Sequence, residues 1–362
     1  MLALAVCELG CRLFLHPADY LAQSPVPDKI LGAVLPARQS GYDGWGFRNR
    51  KVPDSVDIVA VGDSHTFGNC AKMDESWPYV LGRLTGQSVY TLALGGYGPN
   101  QYYHLLKTKA LSLKPRTIIC GLYMGDDFEN AYFVTYGLDH WAYLRELPVP
   151  KNVDFVTWDR PPDRRWHKRL RPWLSHHSVV YRLVFREAFP ANPSPFYDAT
   201  ELVVPEKNIR ETFVPRGLLR RLDQQNVSVQ EGMRISLKLF DEMNRLCRTN
   251  NIGFQIAIIP TKEMVFADYL ERNKTLPLAS TEVIDKVLAN ERLARDKLFQ
   301  FFDASEIRYV DTLPALKRSR EEGIYVRSEH DMHPNHKGYK VIADAIAQSL
   351  EKQALKAVRT NP

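Results

Sequence analysis

The chain has 362 residues, 44% of them hydrophobic and 25% charged, with a net charge of +6. This excludes a disordered chain and suits one principal core carrying a sizeable insertion. Lys and Arg are scattered apart from short runs at 164–171 and 216–221, so the dense basic stripe of a nucleic-acid binder is missing and no nucleic-acid partner is expected. Cys7, Cys11, Cys70, Cys120 and Cys247 form no Cys-x-x-Cys pair, which argues against a zinc site or a disulfide framework and predicts five small buried apolar residues.

The first segment, MLALAVCELGCRLFLH, is apolar but carries Glu8 and Arg12 and falls short of the roughly 20 residues that span a bilayer. It also lacks the basic start of a signal peptide. Residues 1–15 therefore read as an apolar helix or as the C-terminal half of a membrane anchor. The anchor is preferred, because residues 16–50 look like a Pro/Gly-punctuated connector.

From residue 51 to 350, short apolar runs alternate with longer amphipathic ones. Strands are expected at 56–62, 88–94, 117–124, 253–259 and 307–311, most of them continuously apolar, as parallel strands covered on both faces are. Helices are expected at 99–113, 230–250, 282–302 and 336–350. The second of these places Ile235, Leu239, Met243, Leu246 and Cys247 at spacings of three and four. Strand and helix in alternation predict a three-layer α/β/α domain with a doubly wound, flavodoxin-like parallel sheet. Residues 131–228 have no clear period and are expected to be an insertion or lid beside the site; residues 351–362 form a tail. Within the insertion, Trp141, Trp158, Trp166 and Trp173 suit either a small core or stacking on sugar rings.

Two stretches carry chemistry. In VDIVAVGDSHTFG, Ser64 follows the first strand, at the carboxyl edge where open α/β sheets bind ligands. A nucleophilic serine needs a base, a group that orients the base, and oxyanion donors. Asp63 and Thr66, at a helix start, read as residues that cap the turn. In SEHDMHPNHKGY, residues 328–339, His330, His333 and His336 offer a base and Asp331 a carboxylate to orient it. Two histidines three apart, without further ligands, make a weak metal site, and no metal is expected. The glycines after the second strand do not spell Gly-x-Gly-x-x-Gly, so no dinucleotide or other cofactor is expected.

Gly62-Asp63-Ser64, ALGGYGPNQY, GLYMGDDFEN and DMHPNHKGY, in that order, resemble the four blocks of the GDSL or SGNH hydrolase superfamily. The form GDSHTFG, with GWGFRNR upstream and IIPTKEMVF downstream, is similar to a membrane-anchored bacterial branch related to polysaccharide O-acetylation. The resemblance covers roughly residues 40–130 and 230–350. It implies Ser64 as nucleophile, His333 as base assisted by Asp331, and an oxyanion hole made by the backbone N–H groups of Ser64 and Gly96.

The third block departs from the family. Asp126 stands where an Asn usually donates its amide, and an ionised carboxylate there would repel the oxyanion. A metal held by Asp126, Asp127 and Glu129 would lack further ligands. Asp331 also stands two residues before His333 rather than three, the form of the acetyltransferase-related branch. The expected activity is a serine esterase acting on O-acyl, chiefly O-acetyl, esters of a carbohydrate or small molecule. O-acyl transfer to an extracellular polysaccharide and non-catalytic polysaccharide binding are the alternatives. The resemblance and the partial anchor imply a membrane-anchored, extracytoplasmic place in the cell envelope.

Overall fold

The computed structural model describes residues 2–150, 166–185, 200–204, 207, 209–272, 278–326 and 332–360. In chain order, α1 (Leu2–Phe14) precedes a small hairpin, β1 (Val26–Asp28) and β2 (Gly32–Val34). The main sheet begins with β3 (Ile58–Gly62), then α2 (Ser64–Phe67), α3 (Trp77–Thr85), β4 (Val89–Ala93), α4 (Pro99–Thr108), β5 (Thr117–Tyr123) and α5 (Asp127–Gly137). Next come α6 (Trp166–His177), α7 (Val179–Phe185), β6 (Thr200–Val204), β7 (Ile209–Phe213) and α8 (Pro215–Leu222). The chain closes with α9 (Val227–Thr249), β8 (Gly253–Ile259), α10 (Lys262–Val265), α11 (Ala267–Arg272), α12 (Leu278–Ala304), β9 (Arg308–Asp311), α13 (Leu313–Ser319) and α14 (His336–Thr360).

The five parallel strands lie in the order β4-β3-β5-β8-β9, flanked by helices on both faces. Alternation along β3 shows why the strands read as continuously apolar. Val59 and Val61 join one core with Leu105 of α4 and Phe240 and Met243 of α9, while Ile58 and Ala60 join the opposite core with Leu81 of α3 and Ile342 and Ile346 of α14. Gly62 pairs in register with Ala93 and with Gly121, so β3 and β4 end level while β5 runs two residues further to Tyr123. The expected helix 230–250 starts at Val227 instead, because the Asn226 side chain accepts from Ser228 N and caps it.

Residues 16–50 are not a loose connector. Arg48 is buried, pairs with Asp19 at 2.7 Å, and donates to the carbonyls of Phe67, Gly68 and Ala71. Asn49 bridges Asp43 and Thr91, and Asp43 also accepts from the Tyr90 hydroxyl. Arg48 finds its partners 19 to 29 residues away, and Asn49 and Asp43 reach Thr91 and Tyr90 more than forty residues away, contacts that a local composition reading does not contain.

No helix among the described residues is long and apolar enough to cross a membrane. α1 is tied to α7: the Glu8 carboxylate accepts from Val179 N, Val180 N and the Ser178 hydroxyl, capping that helix. Cys120 and Cys247 are buried as expected, but Cys7 and Cys70 are exposed and Cys11 is half-buried. Trp141 is a core residue whose indole N–H donates to Ile30 O, whereas Trp173 is exposed. Trp158 lies outside the described residues.

Candidate active site

Ser64 is the first residue of α2, directly after Asp63, whose Oδ1 accepts from His65 N at 2.9 Å and caps the helix. Gly68, at φ 82°, ends this single turn, and Arg48 binds the carbonyls that follow it. Thr66 does not cap. Its fully buried side chain lies over the strands, where a Cβ on Gly62 or Gly121 would come within 2.0 or 2.2 Å of its Oγ1, and that hydroxyl makes no hydrogen bond among the described residues. Gly62 at the end of β3 and its register partner Gly121 within β5 thus let α2 sit directly on the sheet. Gly121→Ala is expected to destabilise the fold by about 1–3 kcal/mol through overpacking, read as a lower denaturation midpoint.

His333 arrives from the far end of the chain. Tyr325 and Pro334 form an isolated antiparallel bridge, and Val326 N donates to His333 O. Asn335 donates to the carbonyls of Gly323 and Tyr325 and accepts from Lys337 N, so it pins the loop and caps α14 together. A Cβ on Gly338 would lie 2.4 Å from Ile324 O, and the Tyr339 hydroxyl donates to Asn69 O beside α2. Each residue of the His-Pro-Asn-x-x-Gly-Tyr pattern therefore has a structural task that places one imidazole.

That imidazole reaches the serine: His333 Nε2 is 2.8 Å from Ser64 Oγ. The two line a cavity of about 220 Å³ together with His65, Tyr123, Asp126, Met332, Val214 at the head of α8 and, from α8 itself, Gly217, Leu218 and Arg221. The end of the 131–228 stretch thus walls the site. Asp331 and His330 lie outside the described residues. Gly96, at φ 80°, turns beside Gly95, whose Cβ position is 3.6 Å from Ser64 Cβ. Neither Trp141 nor Trp173 lines the cavity.

The sequence reading passed over His65. It is buried, its Nδ1 lies 3.2 Å from Asp63 Oδ2, and its ring stacks on Tyr123 at 3.7 Å and meets His333 at 4.6 Å. A histidine directly after Ser64 was the available signal. Asp63 also accepts from Ser64 Oγ at 3.3 Å. Burial opposes ionisation of Asp63, but the charge and hydrogen bonds of His65, with His333 behind it, outweigh burial and hold its carboxyl below the usual range.

Asp126 and Asp127 follow the opposite course. Burial and the Asp63 charge push Asp127 well up, and its oxygens accept from the Tyr102 hydroxyl and Tyr123 N. Asp126 is pushed up to about 7 by burial and Asp63, against the pull of Arg221 and His333. Oxygens of Asp63, Asp126 and Asp127 lie within 4.8 Å of one another. Glu129, the third carboxylate of the sequence segment, is not in this group and instead faces Arg220 and Arg221 at 3.4 Å.

No protein-family model matches the sequence, and no curated protein matches it. The chain is similar in structure to a GDSL-like lipase from Bacteroides thetaiotaomicron (10% identity, TM-score 0.39, 83% of this chain and 93% of that one). It is likewise similar to a phospholipase A1 from Streptomyces albidoflavus (9%, TM-score 0.43, 82% and 99%). A third likeness is to an acetylxylan esterase from Geobacillus stearothermophilus (10%, TM-score 0.36, 82% and 95%). At these identities and scores, function has to be argued from the residues of the site.

Proposed function

We propose that this chain is a serine esterase of the SGNH type that forms an acyl-enzyme on Ser64. The observation that carries this reading is the 2.8 Å approach of His333 Nε2 to Ser64 Oγ inside a cavity. Ser64 Oγ attacks the ester carbonyl and passes its proton to His333, which returns it to the departing alkoxide; water then repeats the sequence on the acyl-enzyme. The backbone N–H groups of Ser64 and Gly96 serve the oxyanion, each at about 3 kcal/mol of barrier. Asp331 would orient His333 on the resemblance of its sequence context.

The cavity is smaller than the roughly 300–1,000 Å³ of sites that enclose drug-sized ligands, and Val214, Leu218 and Met332 give it an apolar wall. That suits a short acyl group such as acetyl, with the alcohol part of a carbohydrate or other small ester outside. If a sugar hydroxyl replaces water as acceptor, the same intermediate gives O-acyl transfer, and α8 is the element placed to bias that choice.

The test is turnover of p-nitrophenyl acetate against the octanoate, with fluorophosphonate labelling and mass spectrometry to locate the adduct. Acetate preference and an adduct on Ser64 are expected. A folded chain that neither turns over nor labels would make polysaccharide binding the better reading.

A further inference from the structure

We propose that Asp126 acts as a neutral carboxylic acid that donates its hydroxyl hydrogen to the oxyanion formed on Ser64 attack, so that its ionisation switches the site off. This rests on the esterase reading above. Asp126 occupies the N-cap position of α5, yet its side chain makes no capping bond to that helix. It instead lines the cavity with Ser64 and His333. One carboxyl oxygen, Oδ2, lies 3.7 Å from Arg221 Nη1, an ion-pair distance too long for a hydrogen bond. The other, Oδ1, is buried and makes no hydrogen bond among the described residues.

A buried acceptor left unmatched costs about 1–3 kcal/mol. As an acid, Asp126 gains a donor for which the substrate oxyanion is a natural acceptor, and the cost disappears when the reaction needs it. The described groups around it favour that form. Asp63 at the head of α2 holds its negative charge and Glu129 of α5 adds a weaker push, while the neighbouring Asp127 is itself pushed well up. Against them stand Arg221 of α8 and His333, while His65 and Tyr123 complete the wall. The balance leaves Asp126 pushed up to about 7.

The chemistry closes without another reagent. The Ser64 Oγ bond forms to the carbonyl carbon, the Oγ proton moves to His333 Nε2, and the carbonyl π pair becomes the oxyanion that accepts the Asp126 hydrogen bond. On collapse, the C=O bond reforms and the alkoxide leaves with the His333 proton. Asp126 keeps its own proton throughout. An ionised Asp126 would place a negative charge beside a developing one.

The experiment compares kcat/KM for p-nitrophenyl acetate across the pH range in the wild-type chain and Asp126→Asn, whose amide donates at every pH. Wild-type activity is expected to fall about tenfold per pH unit above neutrality, roughly 100-fold by about pH 9, and this alkaline limb is expected to vanish in the variant. A limb unchanged by the substitution, or no limb in the wild type, overturns the proposal. Carbon-13 carboxyl NMR reads the acid without catalysis: one aspartate signal titrating near neutrality should be lost in Asp126→Asn. An active enzyme lacking that signal overturns the Asp126 role alone. A chain inactive at every pH, with the signal present, overturns the esterase reading and with it the donor role.

Discussion

Ser64→Ala is expected to lower ester turnover by at least about 10³-fold and to abolish fluorophosphonate labelling, with little change in stability. On the proposed mechanism the loss is large because the variant removes the atom that forms the acyl bond; the cavity, its donors and His333 remain, leaving a residual acceleration from binding and polarisation. Stability should hold because the Ser64 side chain is half-buried and its Oγ is not the group that caps α2. That cap is Asp63 Oδ1, which the substitution leaves in place. Steady-state turnover beside a denaturant titration checks both halves. A variant that retains a tenth of wild-type turnover would show that Ser64 is not the nucleophile.

The largest stability effect is expected at Lys262, in the IIPTKEMVF stretch. Its side chain is fully buried, with Nζ 2.6 Å from Glu211 Oε2 and 3.1 Å from Thr212 O, and it faces the rings of Phe213 and Tyr325 at 5.4 Å. Lys262→Ala removes the ammonium and strands the buried Glu211 carboxylate, which is expected to cost about 3–5 kcal/mol by chemical denaturation. Pairing Lys262→Met with Glu211→Leu should recover much of that loss, since no charge is then left alone in the core. If the double variant is as unstable as the single one, the damage comes from packing rather than from the unpaired charge. Activity should fall with stability in Lys262→Ala. The residue braces β7, which leads into the α8 wall, and Tyr325, which fixes the loop bearing His333.

Much of this architecture was open to reading from sequence because its signals are local. Most of the five strands are continuous apolar runs, since residues such as Ile58 and Val59 each bury in one of two cores, whereas β9, Arg308–Asp311, is a short edge strand with little apolar content. Ser64 and His333 stood out because turn chemistry and histidine context are short-range patterns. What escaped was what depends on distant partners or on elements too short to show a period. Arg48 looks like a solvent-facing arginine until Asp19 and the α2 carbonyls enclose it. α8 is only eight residues long, and the β6–β7 hairpin before it consists of two five-residue strands, so neither announces that it will wall a catalytic cavity. The role of Thr66 was misread because Asp63 does the capping that either residue type performs.

The Ser64–His333 hydrogen bond joins residues 269 positions apart. Closing a chain loop of that length costs of order 5 kcal/mol in entropy, repaid only when β8 and β9 have paired and α14 lies against α3. On the proposed mechanism, Ser64 is therefore made early during synthesis and stays inert, because His333 leaves the ribosome more than two hundred residues later. On that reading a chain that stops before His333 lacks the base, and the appearance of activity during refolding is expected to time the docking of α14.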